Sequence, residues 1–192
     1  MQIRFISALG NPGKEYKGTR HNIGKDALES VIENLALQEK KEDFGSFFFY
    51  NTNRDEIEIL TIFFIPNCFM NKSGDCIKKA LDFLNLSIAH QDILILHDEM
   101  DLEFGKIKIS CAKGDAGHNG VASLISSLKS REFCRLKIGI GRNYKTDKSK
   151  YVLSKFSFKE YLILPSLYEK IQQATLSFVI YGKDMAMNKV NK

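Results

Sequence analysis

The sequence predicts an α/β fold, a single domain in which a twisted, mostly parallel or mixed sheet is flanked by helices. Apolar runs of strand length alternate along the chain with segments in which apolar residues recur at helical spacing. Ile93–Leu96 is apolar at every position, as is typical of a central strand covered on both faces. The 192 residues, 44% of them hydrophobic, suffice for one core, and no repeat or linker divides them. We therefore expect residues 1–192 to form one domain, with residues 188–192 as a frayed tail.

The individual elements follow from turn signals and from the spacing of apolar residues. The first strand, Ile3–Leu9, ends at a Gly-Asn-Pro-Gly turn. Pro165 limits where the last helix can begin, because proline is tolerated only near the first turn of a helix. The other predicted elements are helices around Ala27–Leu35, Ile77–Leu84 and Val121–Leu128, hairpin strands at Phe47–Tyr50 and Ile57–Ile65 with polar residues 51–56 between them, strands at Lys106–Cys111 and Leu136–Ile140, and a helix from Lys159 to about Tyr181.

The composition narrows the class of protein. No window is long and apolar enough to span a bilayer, and the first residues lack the pattern of a signal peptide, so we expect a cytoplasmic protein without membrane contact. The net charge of +5 permits a polyanionic partner without requiring one. The four cysteines form no CxxC pair, and we expect them to be small, partly buried free thiols: Cys68, Cys76, Cys111 and Cys134.

Polar residues gather directly after the predicted strands, which is where open α/β sheets bind their ligands. Each has an ordinary role if taken singly: Asn11 can form an Asx turn, Asn71 can cap a helix, and Asp98 can belong to a solvated acidic loop. Their joint appearance favours a site rich in neutral hydrogen-bonding groups. The residues concerned are Asn11, Tyr16, Arg20, His21 and Asn22, then Phe69, Met70 and Asn71, then His97, Asp98, Glu99 and Asp101, and finally His118 and Asn119.

Two other chemistries fit the pattern less well. His97–Asp101 together with His118 offers enough nitrogen and oxygen ligands for a divalent cation, but the chain has no HExxH helix. His97 and Asp98 also point to opposite faces of a strand. No serine lies in a GxSxG turn, and no cysteine has a recognisable catalytic partner. We therefore expect neither metal catalysis nor a covalent nucleophile.

Six segments of the chain resemble the signatures of the bacterial-type peptidyl-tRNA hydrolase family, in the same order. The first, Leu9–Gly24, reads LGNPGKEYKGTRHNIG and is long enough to be highly specific. The resemblance covers nearly the whole chain. The other five segments are FMNKSG at 69–74, HDEMDL at 97–102, GHNG at 117–120, RLKIGIGR at 135–142 and YVLSKF at 151–156.

The resemblance implies a function and a set of site residues. The family hydrolyses the ester between a peptide and tRNA, which recycles the tRNA, and it acts as a monomer without metal or organic cofactor. By resemblance, His21 is the general base that activates a water, and Asp98 orients its imidazole. Asn11 matches the residue that distinguishes a blocked peptidyl amine from a free aminoacyl one. The positions that match substrate contacts are Tyr16, Phe69, Asn71 and Asn119.

The implied chemistry agrees with these residue types. A ribose hydroxyl is a better leaving group than an amine, so a base-activated water suffices without a covalent intermediate. An imidazole with an ordinary pKa near ~6.5 is suited to be that base, and a carboxylate partner fixes its tautomer. The developing oxyanion needs a donor, and the side-chain amide of either Asn71 or Asn119 can supply it.

The sequence departs from the family pattern in two places. Asp115 and Ala116 enter a loop that is normally rich in glycine, and Ser110 stands where a basic residue is expected. The two basic positions that grip a tRNA phosphate in the family fall at Ser110 and Lys137, so one charge is missing. Because Lys108 shares a strand face with Ser110, we expect Lys137 with Lys108, or else Lys113, to form the phosphate clamp.

Two other functions are compatible with the sequence. The first is an RNA-binding or splicing partner that kept the fold without hydrolysis, but such a protein has no use for an intact His21 and Asp98. The second is an unrelated esterase or amidase that uses the same dyad on small substrates. The modest basic excess weighs against that function.

Overall fold

The computed structural model describes all 192 residues and contains one seven-stranded mixed sheet. The strand order is β2-β3-β4-β1-β5-β7-β6. Four strands, β4-β1-β5-β7, are parallel neighbours, and the outer strands β2, β3 and β6 run antiparallel. The predicted fold class, a single α/β domain with helices flanking a mixed sheet, is confirmed. The strands are β1 Gln2–Ala8, β2 Lys40–Glu42, β3 Gly45–Arg54, β4 Ile57–Pro66, β5 Ile93–Glu99, β6 Ile107–Cys111 and β7 Cys134–Gly139.

Helices cover both faces of the sheet and divide the core into two halves. One half joins the sheet to α1 and α6, and the other joins it to α2 and α3. The central strand β5 contributes to both halves, because Leu94 and Leu96 face one side while Ile93 and Ile95 face the other. The helices are α1 Ile23–Asn34, α2 Ser73–Leu84, α3 Asn119–Leu128, α4 Lys148–Val152, α5 Phe158–Tyr161 and α6 Leu164–Val190. None of the helices combines the length and apolar character needed to cross a membrane.

The hairpin and the last helix differ from the prediction in their bounds. Strands β3 and β4 pair as far as Arg54 and Ile57, so the turn has two residues where six polar ones were expected. The backbone of β3 stays paired beyond its last apolar side chain, so the end of this strand predicted from apolar residues came too early. The predicted helix is two helices, α5 and α6, and Gly182 interrupts α6 with φ 75° and ψ −175°. This break lies directly after the predicted helix end at Tyr181.

The C-terminal residues do not match the expected frayed tail. Helix α6 continues to Val190, and the side chain of Asn191 hydrogen bonds to the backbone of Ile109. Ile109 N–H donates to Asn191 Oδ1 at 2.9 Å, and Asn191 Nδ2 donates to the Ile109 carbonyl at 2.8 Å. A single side-chain amide thus imitates the backbone of a further strand along the open edge of β6. Sequence spacing does not reveal such a contact, because its partners are 82 residues apart.

Two of the four cysteines are not the expected free thiols. Cys111 and Cys134 are joined in a disulfide, with their Cα atoms 4.1 Å apart. They are register partners on the antiparallel strands β6 and β7, which brings together residues 23 positions apart in the chain. Cys68 and Cys76 are free.

Helix α1 approaches the centre of the sheet closely. Gly24, in its first turn, packs against β5, and a Cβ built on this glycine lies 2.6 Å from the Leu96 carbonyl oxygen and 3.0 Å from the Cα of His97. Only a residue without a side chain allows this approach. The first turn of α1 is therefore held against the end of β5, where the polar residues of the chain collect.

We expect Gly24→Ala to lower the free energy of unfolding by about 1–3 kcal/mol, because the methyl group must displace backbone atoms in a packed contact. Chemical denaturation measures this change. Gly114→Ala is the control, since Gly114 has open space around its Cα and no positive φ. An unfolding free energy for Gly24→Ala as close to the parent as that of the control would contradict the close approach.

Candidate active site

A cavity of about 230 Å³ opens at the carboxyl end of β5. Its walls come from the 3₁₀ turn at Arg20–Asn22, the end of β5, the loop before α3 and helix α4. This is the edge at which an open α/β sheet is expected to bind a ligand. The lining side chains with polar groups include His21, Asp98, Glu99, His118, Asn119 and Arg142.

Two histidines share one carboxylate oxygen at the base of this cavity. Asp98 is only 3% exposed, and its Oδ1 lies 2.8 Å from Nδ1 of His21 and 2.9 Å from Nε2 of His118. The imidazole rings of His21 and His118 lie with their centroids 5.0 Å apart. The three side chains come from separate parts of the chain and meet at one point.

The hydrogen bonds of His118 determine which of its nitrogens carries a proton. His118 is the N-cap of α3, and its Nδ1 accepts from the backbone N–H groups of Gly120 at 3.1 Å and Val121 at 3.3 Å. A ring nitrogen that accepts a hydrogen bond has no proton, so the proton of the neutral ring is on Nε2. His118 therefore donates to Asp98 and is held in one tautomer by the helix that it caps.

The same reasoning assigns the tautomer of His21. Asp98 can only accept when it is ionised, so Nδ1 of His21 donates to it. Nε2 of His21 has no hydrogen-bond partner in the protein and borders the cavity. The arrangement leaves one unprotonated imidazole nitrogen available to a molecule in the cavity.

The electrostatics keep Asp98 charged although it is buried. Burial by itself favours the neutral acid, but the imidazoles of His118 and His21 outweigh it and hold the pKa of Asp98 well below its ordinary value. His97 is neutral, since burial lowers the pKa of its ring well below the ordinary value. Its Nδ1 donates to the backbone carbonyl of Asp98 at 2.6 Å, which fixes the end of β5.

Asn11 is held by a pair of amides. Its N–H donates to Oδ1 of Asn22 and its carbonyl accepts from Nδ2 of Asn22, both at 2.9 Å. Its side-chain Oδ1 accepts from the N–H of Met70 at 2.8 Å. With that oxygen occupied, the amide has one orientation, and Nδ2 is left as a donor without a partner in the protein.

The cluster of His21, Asp98 and His118 is also the one group whose ligand atoms lie close enough for a metal ion, within 4.8 Å of one another. Both histidine nitrogens that face Asp98 carry protons in the hydrogen-bond pattern described above. A cation bound between them would have to displace both protons and break both hydrogen bonds. The residues present fit a carboxylate with two proton donors better than a metal centre.

Known proteins resemble this chain over its whole length. A family model for peptidyl-tRNA hydrolase matches residues 5–192. The chain is 36% identical over 191 residues to the peptidyl-tRNA hydrolase of Metamycoplasma arthritidis, with 98% of both chains covered. It is 39% identical over 173 residues to that of Hydrogenobaculum sp., with 89% of this chain and 88% of the relative covered.

The chain belongs to the peptidyl-tRNA hydrolase family. The resemblance predicted from the sequence motifs and the assignment as a peptidyl-tRNA hydrolase are thereby confirmed. The fold agrees: the crystal structure of peptidyl-tRNA hydrolase from Acinetobacter baumannii matches with a TM-score of 0.83 at 30% identity, covering 98% of this chain and 94% of that one.

The substrate contacts expected for the hydrolase fall into two groups. Asn119 lines the cavity with His21 and Asp98. Tyr16 and Phe69 lie outside this cavity and meet edge to face, with ring centroids 6.3 Å apart. Phe69 is 52% exposed, and Asn71 is exposed in the turn beside it. These three side chains therefore form a separate surface next to Asn11, which holds the backbone of Met70.

The three lysines expected to grip a phosphate are not equivalent in the structure. Lys108 and Lys137 are direct register partners on β6 and β7, so their side chains share a face. Lys137 is also ion-paired, with its Nζ 2.6 Å from Oε2 of Glu99. Lys108 and Lys113 are exposed and have no ion-pair partner. Ser110 is the register partner of Arg135 on the same face.

The reasoning from sequence missed a buried brace beside His21. Arg20 is buried, and its guanidinium makes two hydrogen bonds of 2.8 Å to the carboxylate of Glu160. The same group stacks on the rings of Tyr151, at 4.6 Å, and Phe156, at 4.9 Å. Arg20, which directly precedes His21, thus connects the 3₁₀ turn of the site to the segment that contains α4 and α5. The YVLSKF segment contains both aromatic partners, which is the only signal that the sequence offered.

Glu160 carries the electrostatic part of this brace. Burial disfavours its charged form, but the hydrogen bonds from Arg20 and Ser157 prevail and lower the pKa of Glu160 to about 2, from an ordinary value of 4.5. Because the pKa is lower in the folded state, the resulting stabilisation is complete above pH 4.5. It is lost as the pH falls from 4.5 to about 2.

We expect Glu160→Gln to destabilise the protein at neutral pH by roughly 1.5–3 kcal/mol, the usual value of hydrogen bonds to a charged group. Glutamine keeps the capping box with Ser157, so the change isolates the charge opposite Arg20. Unfolding measured between pH 7 and pH 2.5 should show the difference from the parent shrinking below pH 4.5. Glu56→Gln, at an exposed hairpin turn, is the control. A difference that is independent of pH would contradict the brace.

Proposed function

We propose that this hydrolase cleaves the ester of peptidyl-tRNA with a water that His21 activates, and without a covalent intermediate. The observation that carries the proposal is the shared carboxylate: Asp98 accepts from Nδ1 of His21 and from Nε2 of His118. The first hydrogen bond directs the free Nε2 of His21 to the cavity as a base. The second stabilises the negative charge of Asp98 with a proton that stays on His118.

The reaction follows from this geometry. A water takes its place against Nε2 of His21 and loses a proton to it while its oxygen attacks the ester carbonyl. The imidazolium that forms is stabilised by the ionised Asp98. Collapse of the tetrahedral intermediate breaks the bond to the ribose oxygen, which receives the proton from His21. Peptide acid and tRNA with a free ribose hydroxyl are the products.

The oxyanion of the tetrahedral intermediate requires a hydrogen-bond donor. Asn119 lines the same cavity as His21, whereas Asn71 lies on the surface beside Phe69. This placement favours Asn119 for the oxyanion and leaves Asn71, with Tyr16 and Phe69, to contact the peptide. An aromatic pair that is partly exposed offers apolar contact to side chains of any sequence.

Asn11 distinguishes a blocked amine from a free one in this proposal. Its side-chain oxygen is occupied by Met70, so it presents only the N–H groups of Nδ2. These groups can donate to the carbonyl of a peptide bond. A free aminoacyl-tRNA has no such carbonyl and places an ammonium near a donor, which leaves Asn11 unsatisfied and disfavours binding.

The phosphate clamp of the proposal consists of Lys108 with Lys137. Their register brings two ammonium groups to one face of the β6–β7 pair, which fits a single phosphate. The charge of Lys137 is partly compensated by Glu99, which also lines the cavity. Lys108 therefore supplies the uncompensated charge, while nothing in the structure ties Lys113 to this pair. The monomeric state and the cytoplasmic location expected from the sequence stay predictions.

We expect His21→Ala to reduce kcat by roughly 10²–10⁴-fold, the usual contribution of general-base catalysis, with binding of tRNA retained. Asp98→Asn should cost less than this, because the imidazole is still present. Hydrolysis of N-blocked aminoacyl-tRNA gives kcat, and a binding titration with deacylated tRNA shows that the site is intact. Turnover near the parent rate in His21→Ala would refute the mechanism.

We expect Lys108→Ala to raise KM for full-length peptidyl-tRNA and to reduce the slope of log kcat/KM against log salt by roughly one unit, as for one lost phosphate contact. Small N-blocked aminoacyl esters lack the phosphate and should be hydrolysed at the parent rate. Lys113→Ala is the matched control and should leave both substrates unchanged. If Lys108→Ala slowed both substrates equally, the residue would support the site and not a phosphate.

A further inference from the structure

The loop that follows β1 is held to the rest of the protein by few contacts. This loop, residues 12–18, which we call the Tyr16 loop, makes two hydrogen bonds to side chains outside it. The N–H of Gly18 donates to Oδ2 of Asp26 at 2.8 Å, and Nζ of Lys155 donates to the carbonyl of Lys17. The other hydrogen bonds of the loop close local turns. The place of the loop therefore depends on Asp26 and Lys155.

The Tyr16 loop carries an aromatic side chain of the peptide surface but not the base. Tyr16 meets Phe69 edge to face, and Gly18 stands only two residues after it in the chain. A shift of Gly18 therefore moves Tyr16 relative to Phe69. His21 follows three residues later and has its own anchor, the hydrogen bond to Asp98. Contacts at Gly18 can thus change how the peptide is bound without displacing the base.

Asp26 lies on α1 and faces a cavity behind the Tyr16 loop. The side chain is half-buried in the first turn of the helix, and the cavity of about 710 Å³ is bounded by the loop, α1, α5 and α6. Each of these elements brings titratable groups to the same region. The groups around Asp26 are Lys17 from the loop, Lys25 and Glu29 from α1, Lys155 from the segment after α4, Tyr161 from α5, and Tyr168 and Glu169 from α6.

The charge of Asp26 changes close to neutral pH. Burial raises the pKa of Asp26 from 3.8 to about 6, against the hydrogen bond from Gly18, which lowers it, and Glu29 adds to the rise. An N–H group binds an ionised carboxylate more strongly than a neutral acid. The hydrogen bond that holds Gly18 is therefore stronger above this pH than below it.

We infer that Asp26 is a positioning residue for peptide binding, because its carboxylate holds the Tyr16 loop at Gly18 and so sets the place of Tyr16 beside Phe69. The inference rests on the proposed function, in which Tyr16 and Phe69 contact the peptide. Asp26 does not line the cavity that contains His21. It therefore acts on the binding of the peptide and not on the activation of water.

The test compares Asp26→Ala with Asp26→Asn on two substrates, a peptidyl-tRNA with two apolar residues and N-acetylglycyl-tRNA, which has no side chain for Tyr16 to contact. Asparagine keeps an oxygen that can accept from Gly18, whereas alanine does not. We expect Asp26→Ala to raise KM for the first substrate by roughly three- to tenfold, the usual effect of one hydrogen bond. Its kcat and its KM for N-acetylglycyl-tRNA should stay at the parent values. Asp26→Asn should restore most of the lost affinity.

The pH dependence of KM separates this role from a purely structural one. From one pH unit below the pKa of Asp26 to one unit above it, KM of the parent for the apolar substrate should fall by roughly two- to threefold, since the bond to the charged acceptor is stronger. KM of Asp26→Asn should not change over this range. An equal pH dependence of KM in both proteins would overturn the inference. The titration of His21 is read from kcat and does not enter this comparison.

Stability gives a check on the charge of Asp26 that does not involve substrate. The folded protein binds the proton of Asp26 more tightly than the unfolded chain, because its pKa is raised in the folded state. The free energy of unfolding of the parent should therefore fall as the pH rises from 3.8 to about 6, and this fall should be absent from Asp26→Asn. An identical pH profile of the unfolding free energy in the two proteins would contradict the shifted titration on which the inference depends.

Two further variants complete the experiment. Glu33→Ala is the matched control, since Glu33 lies on α1, lines the same cavity and makes no hydrogen bond to the Tyr16 loop. It should leave KM unchanged, and a rise equal to that of Asp26→Ala would overturn the inference. Tyr16→Ala tests the proposed peptide surface itself. If it left KM unchanged, the peptide surface and the inference would both fail, whereas a rise in Tyr16→Ala without one in Asp26→Ala would overturn the inference alone.

Discussion

The site depends on one buried charge, the carboxylate of Asp98. A buried carboxylate without partners is costly, and here two imidazoles hydrogen bond to it. The two imidazoles belong to the starts of different helices: His21 lies in the 3₁₀ turn that leads into α1, and His118 caps α3. One oxygen atom therefore fixes the relative positions of two helices that pack on opposite faces of the sheet. The position of the base follows from the packing of the whole domain.

Neutral contacts join two of the loops around the site. Asn22 holds the backbone of Asn11, and Asn11 in turn holds Met70, so the loops after β1 and β4 are joined by amides alone. These contacts fix the positions of both loops without a further ion pair. The ion pair of Arg20 and Glu160 lies outside the cavity lining, and its two charges neutralise each other.

The sequence predicted those features that repeat along the chain or sit in a motif. The central strand, the helices and the meeting of His21 with Asp98 at one sheet edge all followed from apolar spacing, strand ends and resemblance. It did not predict contacts that depend on register or on distant partners. The disulfide of Cys111 and Cys134 requires the pairing of β6 with β7, and the hydrogen bonds of Asn191 require α6 to reach the sheet edge. No local pattern encodes either contact.

The departure of the loop before α3 from its glycine-rich pattern has a local explanation. Ala116 adopts a positive φ of 52°, which costs a residue with a side chain on the order of 1 kcal/mol. Asp115 offsets this cost, because its Oδ1 accepts from the N–H of Gly117 at 2.7 Å, and Arg135 donates to the Gly114 carbonyl at 2.8 Å. The acidic side chain that interrupts the glycine run thus stabilises the turn that glycine would otherwise permit. This turn places His118 beside Asp98. In a glycine-rich loop the flexibility of glycine permits such a turn, whereas here hydrogen bonds stabilise it.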